Sequence, residues 1–346
     1  MKKILITGNL GYIGPVLTSH LLKHGDYEIH GYDLGWFEYC SPHNILEARP
    51  FKQTYKDIRD ISADDLDGID GVIHLCAVSN DPMGKEFESA TYEINLDASI
   101  NLAKLCKASN VKNLVFASSC SVYGAGGELP KKEEDTVNPL TAYAKSKISF
   151  EEALKEINSK SEMCITALRF STACGPSPRI RLDLVLNDFV ASALVNKKID
   201  ILSDGSPLRP LIDVEDMSRA MSWALQREFS TDDATLIINI GRNDNNLTVL
   251  EMANLVKDSL PGVALSVNED AEIDKRSYAV DFSLFKELSG DFYPKFKIED
   301  SIVRLIDQLN PIKNRLIDFR DSNLVRHNTL RELKSLNILD SNLRLK

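Results

Sequence analysis

Three glycines that directly follow the first apolar segment constrain the fold more than any other feature of the sequence. Gly8, Gly11 and Gly14 form the pattern G-x-x-G-x-x-G between the strand-like run KILIT and a stretch with helical spacing of apolar residues. Glycines here allow a tight turn and a close approach of the main chain to a pyrophosphate, which the start of the helix stabilises. Asp33 ends the next strand-like segment, 19 residues (33 − 14) after Gly14. A carboxylate there accepts hydrogen bonds from a ribose diol and repels a 2′-phosphate, so this region predicts a site for NAD rather than NADP.

Strand-like and helix-like segments alternate over the first half of the chain. Buried-strand patterns occur at EIHGYD, GVIHLCA, NLVFASS and CITALRF, and helical patterns lie at 90–109 and 140–157. This βαβ alternation predicts an α/β fold with a doubly wound parallel sheet and right-handed crossovers. After about residue 175 the segments are more mixed, which indicates a smaller second lobe. LIINIG is one more predicted strand, and LVRHNTLRELKSL is a predicted helix in the C-terminal tail.

Composition and charge narrow the classes of function. The 346 residues carry 41 Lys and Arg against 51 Asp and Glu, a net charge of −10, which indicates no nucleic-acid face. Residues 311–346 differ, with eight basic and four acidic side chains. The N-terminal apolar run ends at Ile6, too short for a signal peptide, and no run reaches the ~20 apolar residues of a membrane span. Six cysteines without paired spacing are typical of reduced thiols, so we expect a cytoplasmic protein without a membrane segment or a metal site.

Tyr143 and Lys147 form the pattern Y-x-x-x-K in a predicted helix, where residues at i and i+4 share one face. A phenol has a pKa near ~10, and a neighbouring ammonium lowers that pKa because it favours the phenolate. Ser119 ends the strand NLVFASS 24 residues (143 − 119) earlier, close enough in this topology to contact the same substrate hydroxyl. The pattern is frequent by chance on surface helices. Its position after a strand and a helix of the α/β unit favours a Ser–Tyr–Lys catalytic set, in which Lys147 also binds the nicotinamide ribose.

Two further segments are expected to border the cofactor. Asp57 and Ile58 follow a short strand-like segment and are candidates for contacts with the adenine, with a plain surface loop as the alternative. HLCA ends a strand at the same edge of the sheet, and we interpret its His74 as a packed strand residue rather than a catalytic one. Asp33 also has an alternative interpretation, as the cap of a helix or turn.

The sequence resembles the extended short-chain dehydrogenase/reductase family, specifically its nucleotide-sugar epimerase/dehydratase branch. The resemblance covers roughly residues 1–310 and rests on GNLGYIG, HLCA, SSCSVYG, YAKSK, LRFSTACGPSPRIRLDLVLNDFV and RPLIDVEDMSRA. It implies a Rossmann domain with tightly bound NAD over 1–175, rejoined by segments near 211–241. A mixed α/β lobe for the sugar nucleotide then covers 176–310, and a basic tail covers 311–346. It further implies a homodimer built from segments 91–108 and 142–158, and a role in polysaccharide biosynthesis.

The resemblance also assigns site residues. The catalytic set of the family matches Ser119, Tyr143 and Lys147. The residues it places at the cofactor are Gly8, Gly11, Tyr12, Ile13, Gly14, Asp33, Asp57, Ile58, Leu75, Cys76, Ala77, Asn95, Tyr143 and Lys147. The residues it places at the substrate are Ser119, Thr172, Asn187, Arg209 and Arg276. Thr172 departs from the family pattern, since many epimerases have Asn there, whereas arginine suits a diphosphate because its planar fork binds phosphate oxygens bidentately. Arg179 and Arg181 either add to this anion site or only brace their loop.

The reaction implied is epimerisation of a nucleotide-diphosphate sugar by transient oxidation at C4 and return of the hydride. Family 4,6-dehydratases carry Asp-Glu directly after the catalytic residue, and this chain has Cys120 and Ser121 there, which argues against dehydration. Family 3,5-epimerases use a cysteine two places after the serine, the position of Ser121, so Cys120 is interpreted as a packing residue. A nucleotide-sugar dehydrogenase or 4-keto reductase remains the alternative, and a non-catalytic cofactor-binding protein is the alternative from another class.

Overall fold

The computed structural model describes residues 1–42, 47–125, 127, 129–159, 161–231, 234–268, 270–271 and 277–346. Its strands are β1 (Lys2–Thr7), β2 (Tyr27–Asp33), β3 (Lys52–Tyr55), β4 (Gly71–His74), β5 (Asn113–Ser119), β6 (Cys164–Phe170), β7 (Thr172–Cys174), β8 (Lys198–Ile201), β9 (Leu208–Asp213), β10 (Thr235–Ile240), β11 (Asn246–Thr248) and β12 (Ala264–Val267). Its α-helices are α1 (Gly14–His24), α2 (Asp81–Glu86), α3 (Glu88–Tyr92), α4 (Ala98–Ala108), α5 (Ala142–Ile157), α6 (Val185–Asn196), α7 (Val214–Gln226), α8 (Val249–Ser259), α9 (Ser283–Ser289), α10 (Ile298–Leu309) and α11 (Arg326–Ser335).

A seven-stranded parallel sheet in the order β10-β6-β5-β4-β1-β2-β3 organises the chain. The order reverses between β1 and β4, and ligands of doubly wound sheets bind at such a point, beyond the carboxyl ends of the strands. Two smaller sheets accompany it: β11-β9-β7, with one parallel and one antiparallel pair, and the parallel pair β12-β8. The predicted α/β fold, with a doubly wound parallel sheet and a smaller mixed lobe, is confirmed.

Alternation along the strands places apolar side chains on both faces of the large sheet. Leu5 packs into the core beneath α4 and α5, whereas its neighbours Ile4 and Ile6 pack into the core beneath α1 and α7. Both faces are buried because the crossover helices cover them, which explains why these strands read as continuous apolar runs. A third core holds α6, α8 and α10 together in the smaller lobe.

The later part of the chain divides between the sheets. Strand β10 pairs with β6 at the edge of the seven-stranded sheet, and α7 packs against α1. Strand β9, which begins the same stretch, instead lies in the three-stranded sheet. The 90–109 segment, expected as one helix, consists of α3 and α4 joined by a π-helical turn over Glu93–Asp97.

The tail of the chain packs on both parts of the molecule. Leu330, Leu339 and Leu343 enter the core beneath α4 and α5, and Leu316 and Phe319 enter the core of the smaller lobe. The predicted helix in this tail is present as α11. Within the described residues, no helix has both the length and the apolar character needed to cross a membrane.

Candidate active site

The carboxyl ends of β1, β2, β4 and β5 open into one cavity of about 350 Å³. The glycine turn after β1 lines it, as do Asp33 at the end of β2, Leu75, Cys76 and Ala77 after β4, and Ser119 at the end of β5. Tyr143 and Lys147 of α5 complete the same wall. The structure therefore brings the predicted nucleotide-binding turn and the predicted catalytic set to a single cavity.

The glycine turn has the geometry expected for close contact with a cofactor. Gly8 has a φ of +76°, and a Cβ there would lie 2.6 Å from the main-chain nitrogen of Cys76, so only glycine fits. Asp33 accepts hydrogen bonds from the main-chain nitrogens of Leu10, at 2.9 Å, and Gly35, at 2.8 Å. Burial raises the pKa of Asp33, although these hydrogen bonds lower it. A small-residue turn beside a carboxylate that still has free lone pairs fits the pyrophosphate and ribose of NAD.

The remaining cofactor candidates divide into residues in the cavity wall and residues behind it. Tyr12, Ile13, Gly11, Asp57 and Ile58 lie in the wall. Gly14 and Asn95 are not in the wall. The Asn95 side chain holds the loop after β4, because it accepts a hydrogen bond from the Val78 nitrogen at 2.8 Å and donates one to the Val78 oxygen at 3.0 Å. A direct cofactor contact from Asn95 stays a prediction.

Local structure explains how Ser119, Tyr143 and Lys147 are positioned. Ser119 caps a short 3₁₀ turn, where its hydroxyl accepts a hydrogen bond from the Ser121 nitrogen at 3.2 Å. Tyr143 and Lys147 lie one helical turn apart near the start of α5, which Thr141 caps. The Lys147 Nζ atom donates a hydrogen bond to the Ala117 carbonyl at 2.7 Å and lies 5.6 Å from the centre of the Tyr143 ring.

Burial shifts the pKa values of both ionisable members of this set toward their neutral forms. It raises the pKa of Tyr143 to about 12, while a hydrogen bond with Ser119 and the charge of Arg181 lower it. Burial also lowers the pKa of Lys147 to about 8. Perturbed pKa values in a cleft are typical of functional groups. The arrangement holds a phenol, an ammonium and a hydroxyl together in a low-dielectric cavity.

The two residues that follow Ser119 point in different directions. Cys120 is fully buried, its thiol donates to the Arg169 carbonyl at 3.0 Å, and burial raises its pKa. Ser121 lines the cavity, and its buried hydroxyl has no hydrogen-bond partner among the described residues. The packing role expected for Cys120 agrees with these contacts. Ser121 is a hydroxyl available to a ligand.

The predicted substrate residues are not all at the cavity. Thr172 and Arg209 line it. Asn187 is fully buried behind the wall, where its amide donates to the Tyr12 hydroxyl at 3.3 Å and to the Arg181 carbonyl at 2.9 Å. Asn187 therefore braces the loop that carries Arg181, and a direct substrate contact stays a prediction. Arg276 lies outside the described residues.

Several residues in the cavity wall carry no clear signal in the sequence: Trp36, Phe37, Ser79, Asn80, Asp81, Tyr278 and Arg326. Arg181, a candidate left open by the sequence, lies in the same wall and donates to the Ser79 hydroxyl at 3.0 Å. It also forms an ion pair with Asp183 at 2.8 Å. For three of these residues the sequence does give a positional hint, because they follow HLCA at the edge of the predicted sheet: Ser79, Asn80 and Asp81. Arg326 has no such signal.

Comparisons with known proteins agree with this geometry. The model of the "NAD dependent epimerase/dehydratase family" matches residues 4–241, which is more than half of the chain. A putative UDP-glucose 4-epimerase of Methanocaldococcus jannaschii is 26% identical over 88% of this chain and 97% of its own length. The solved UDP-glucuronic acid 4-epimerase of Bacillus cereus, in complex with NAD, is 25% identical, covers 89% of this chain and 97% of its own, and has a TM-score of 0.74. TunA, an NAD-dependent NDP-hexosamine 5,6-dehydratase, shares the fold at 21% identity over 90% of this chain and 98% of its own, with a TM-score of 0.75.

Proposed function

This chain belongs to the NAD-dependent epimerase/dehydratase family of enzymes, and on that premise we propose that it epimerises C4 of a nucleotide-diphosphate sugar. Its cofactor is NAD, which when bound accepts a hydride from the sugar carbon and returns it. The single observation that carries the proposal is the cavity that joins the glycine turn to Ser119, Tyr143 and Lys147. No net oxidant is consumed in such a reaction, because the hydride goes back to the same carbon.

Tyr143 acts as the base that takes the proton of the C4 hydroxyl, and Ser119 holds the same oxygen by a hydrogen bond. The charge of Arg181 favours the phenolate in this buried site, and in this proposal the ammonium of Lys147, 5.6 Å from the centre of the Tyr143 ring, does so too. Lys147 is held in place by the Ala117 carbonyl, so its remaining protons are free to bind a ribose hydroxyl. When the hydride returns, Tyr143 gives its proton back to the sugar oxygen.

The neighbourhood of Ser119 supports epimerisation over dehydration. Elimination of a sugar hydroxyl needs an acid and a base in addition to the Ser–Tyr–Lys set. Cys120 faces the core with a raised pKa, and Ser121 offers a hydroxyl rather than a carboxylate. These two side chains are poorly suited to that chemistry.

The sugar nucleotide occupies the part of the cavity that Thr172 and Arg209 line. The Arg209 guanidinium lies 5.7 Å from the centre of the Tyr278 ring, and both residues line the cavity. A guanidinium in this wall suits the diphosphate, because it binds phosphate oxygens bidentately. The two 4-epimerases named above act on UDP-sugars by their names, so we propose UDP-hexoses and UDP-hexuronic acids as the first substrates. In this assignment the domain made of 1–175 and of the returning segments near 211–241 binds NAD, and the 176–310 region binds the sugar nucleotide.

The test incubates the NAD-loaded enzyme with UDP-, GDP-, CDP- and dTDP-sugars and follows products by NMR and NADH by absorbance. We expect a C4 epimer of one sugar class without net change in NADH. Stoichiometric NADH formation would instead identify a dehydrogenase, and NADH consumption a 4-keto reductase. A product that has lost water would overturn the argument made from Cys120 and Ser121.

A homodimer in the cytoplasm is also part of the proposal. The predicted contact uses segments 91–108 and 142–158, which correspond in the structure to α4 with its preceding π-helical turn and to α5. Light scattering during gel filtration measures the mass against the 38.6 kDa of one chain. A monomer at micromolar concentration would contradict this part of the proposal without affecting the chemistry.

A further inference from the structure

The guanidinium of Arg326 is a buried charge in the wall of the cofactor cavity. It belongs to the first residue of α11 in the C-terminal tail, and only 1% of the residue is exposed. Arg326 is not part of any sequence motif described for the site. It lies far beyond residue 241, where the match to the family model ends. The cavity is nevertheless lined by it together with Gly8, Asp33 and Arg181.

The contacts of Arg326 leave its charge without a carboxylate partner. It donates to the carbonyl oxygens of Arg179, at 2.7 Å, and Asn323, at 3.3 Å, and it lies 5.1 Å from the centre of the Phe37 ring. Among the described residues no carboxylate lies within ion-pair distance of it. Burial lowers its pKa and the charge of Arg181 lowers it further, whereas the neighbouring Cys40 thiol and the Asp183 carboxylate raise it.

The two neighbouring arginines are different, because each already has a carboxylate. Arg179 pairs with Glu47 at 2.7 Å, and Arg181 pairs with Asp183 at 2.8 Å. Asp183 attracts Arg326, but it already accepts hydrogen bonds from Arg181 and from Asn80. A buried charge without an anionic partner is unfavourable even where carbonyl oxygens accept its hydrogen bonds, so an arrangement of this kind is stabilised when an anion binds.

Both ligands of this cavity contain a diphosphate, and the position of Arg326 distinguishes them. Phe37 follows Asp33 in the loop after β2, and Arg179 donates to the Glu38 carbonyl in the same loop. The charge of Arg179 also acts on Asp33. Arg326 thus stands at the end of the cavity that holds the glycine turn and Asp33, whereas Arg209 stands among the residues proposed for the sugar nucleotide. We propose that the C-terminal tail supplies Arg326 as a ligand of the NAD diphosphate and thereby holds the cofactor in the enzyme.

Contacts on both sides of Arg326 hold the tail against the rest of the molecule. On one side of Arg326, Arg320 pairs with Asp188 of α6 at 2.7 Å. On the other side, Arg331 pairs with Glu86 at 2.5 Å, and the Arg59 guanidinium donates to the Asn342 carbonyl at 2.7 Å. The tail therefore contacts both parts of the molecule, at positions before and after Arg326 in the chain. Release of NAD requires that the contact at Arg326 break.

The test measures ligand binding to the enzyme after bound NAD has been removed, by calorimetric titration with NAD, UDP and inorganic pyrophosphate separately. Arg326→Gln is expected to weaken NAD binding by about 10- to 100-fold, the value of one or two charge-assisted hydrogen bonds, and to weaken pyrophosphate binding as well. UDP binding is expected to change by less than about threefold. Arg326→Lys, which keeps the charge without the fork, is expected to lie between Arg326→Gln and the wild type.

Arg331→Gln is the matched control, because it removes an arginine of the same helix whose ion pair lies outside the cavity. It is expected to bind NAD like the wild type. Equal loss in both variants would show that only tail docking matters and would overturn the assignment of Arg326. A variant with weakened UDP but unchanged NAD binding would place Arg326 at the substrate diphosphate and would overturn it too.

A second measurement needs no variant. Amide hydrogen exchange of the wild-type enzyme is compared without ligand and with saturating NAD. Slower exchange over 326–335 with NAD is expected, and unchanged exchange there would contradict the proposal even if Arg326→Gln failed to fold. Neither experiment requires a sugar substrate or turnover, so its outcome is independent of whether the enzyme is a C4 epimerase.

Discussion

The Nζ atom of Lys147 lies 5.6 Å from the centre of the Tyr143 ring, one helical turn away on α5, and is fixed by the Ala117 carbonyl at 2.7 Å. Among the described residues the ammonium is thus held near the phenol by a main-chain carbonyl close to the end of β5, and no ion pair with a carboxylate is formed. This leaves its charge free to act on the phenolate, which is the form that a base needs. The arrangement also makes the two groups sensitive to pH and to substitution.

Replacing Tyr143 by Phe removes the proposed base and is expected to lower kcat by about 10²-fold or more, as is typical for loss of general base catalysis. NAD binding should change little, since the ring and α5 remain. The measurement is steady-state kinetics with a sugar identified as substrate, together with calorimetric titration of NAD. Tyr123→Phe is the control: this buried hydroxyl bonds to Asn239 at 2.7 Å outside the cavity, so its loss should lower stability but not kcat. Unchanged turnover in Tyr143→Phe would reject Tyr143 as the base.

The activity should fall as the pH rises through about 8, because burial lowers the pKa of Lys147 to about 8 and the protonated form is the one that favours the phenolate. Lys147→Arg keeps its charge at all accessible pH values, so its profile should lack this alkaline limb whatever its absolute rate. The measurement is kcat/KM between pH 6 and pH 10 for both proteins. An alkaline limb of the same midpoint in Lys147→Arg would assign it to another group.

Cys120→Ser should leave catalysis within about threefold of the wild type, because the buried thiol bonds to the Arg169 carbonyl and does not line the cavity. Kinetics and urea unfolding measure the two effects separately. Ser121→Ala is the variant for comparison, because the Ser121 hydroxyl lies at the cavity and has no hydrogen-bond partner among the described residues. This substitution is expected to raise KM with little loss of stability. A folded Cys120→Ser protein that lost activity 100-fold would give the thiol a chemical role.

His74 should make the folded enzyme less stable in mild acid. Burial lowers the pKa of His74 to about 3, and its ring nitrogens bond to Thr7 at 2.6 Å and Ser99 at 2.8 Å. Because the folded-state pKa lies below the unfolded value of ~6.5, the unfolded chain binds the extra proton and stability falls as the pH drops below ~6.5. Between pH 7 and pH 5 this group alone lowers the free energy of unfolding by roughly 2 kcal/mol.

His74→Gln lacks this proton, so its stability relative to the wild type should improve by the same roughly 2 kcal/mol between pH 7 and pH 5. Urea unfolding of both proteins at the two pH values gives the comparison. A constant difference at the two pH values would show that His74 is not the group responsible.

The local parts of the site can be predicted from spacing along the chain. The glycine turn, the carboxylate at the end of β2 and the Tyr143–Lys147 pair are each defined by spacing within one or two elements, and such spacing depends only on strand and helix geometry. The alternation of strands and helices likewise predicts a parallel sheet whose strand ends meet at one edge. The position of Ser119 near Tyr143, 24 residues (143 − 119) later, therefore follows from the sequence pattern.

Which distant residues face the cavity depends instead on how the segments of the chain pack together. The side-chain amides of Asn187 and Asn95 form hydrogen bonds with main-chain groups behind the cavity wall. Arg326, in contrast, reaches the cavity from the C-terminal tail. The physical reason is that docking of the tail depends on the packing of Leu330 and Leu343 into a core that many separate elements build, among them α4 and α5. No periodicity in a sequence specifies which of several apolar faces an amphipathic segment will cover, because every such face offers a similar gain on burial. The charge that the tail carries into the cofactor cavity is thus a property of the assembled molecule and not of any one of its segments.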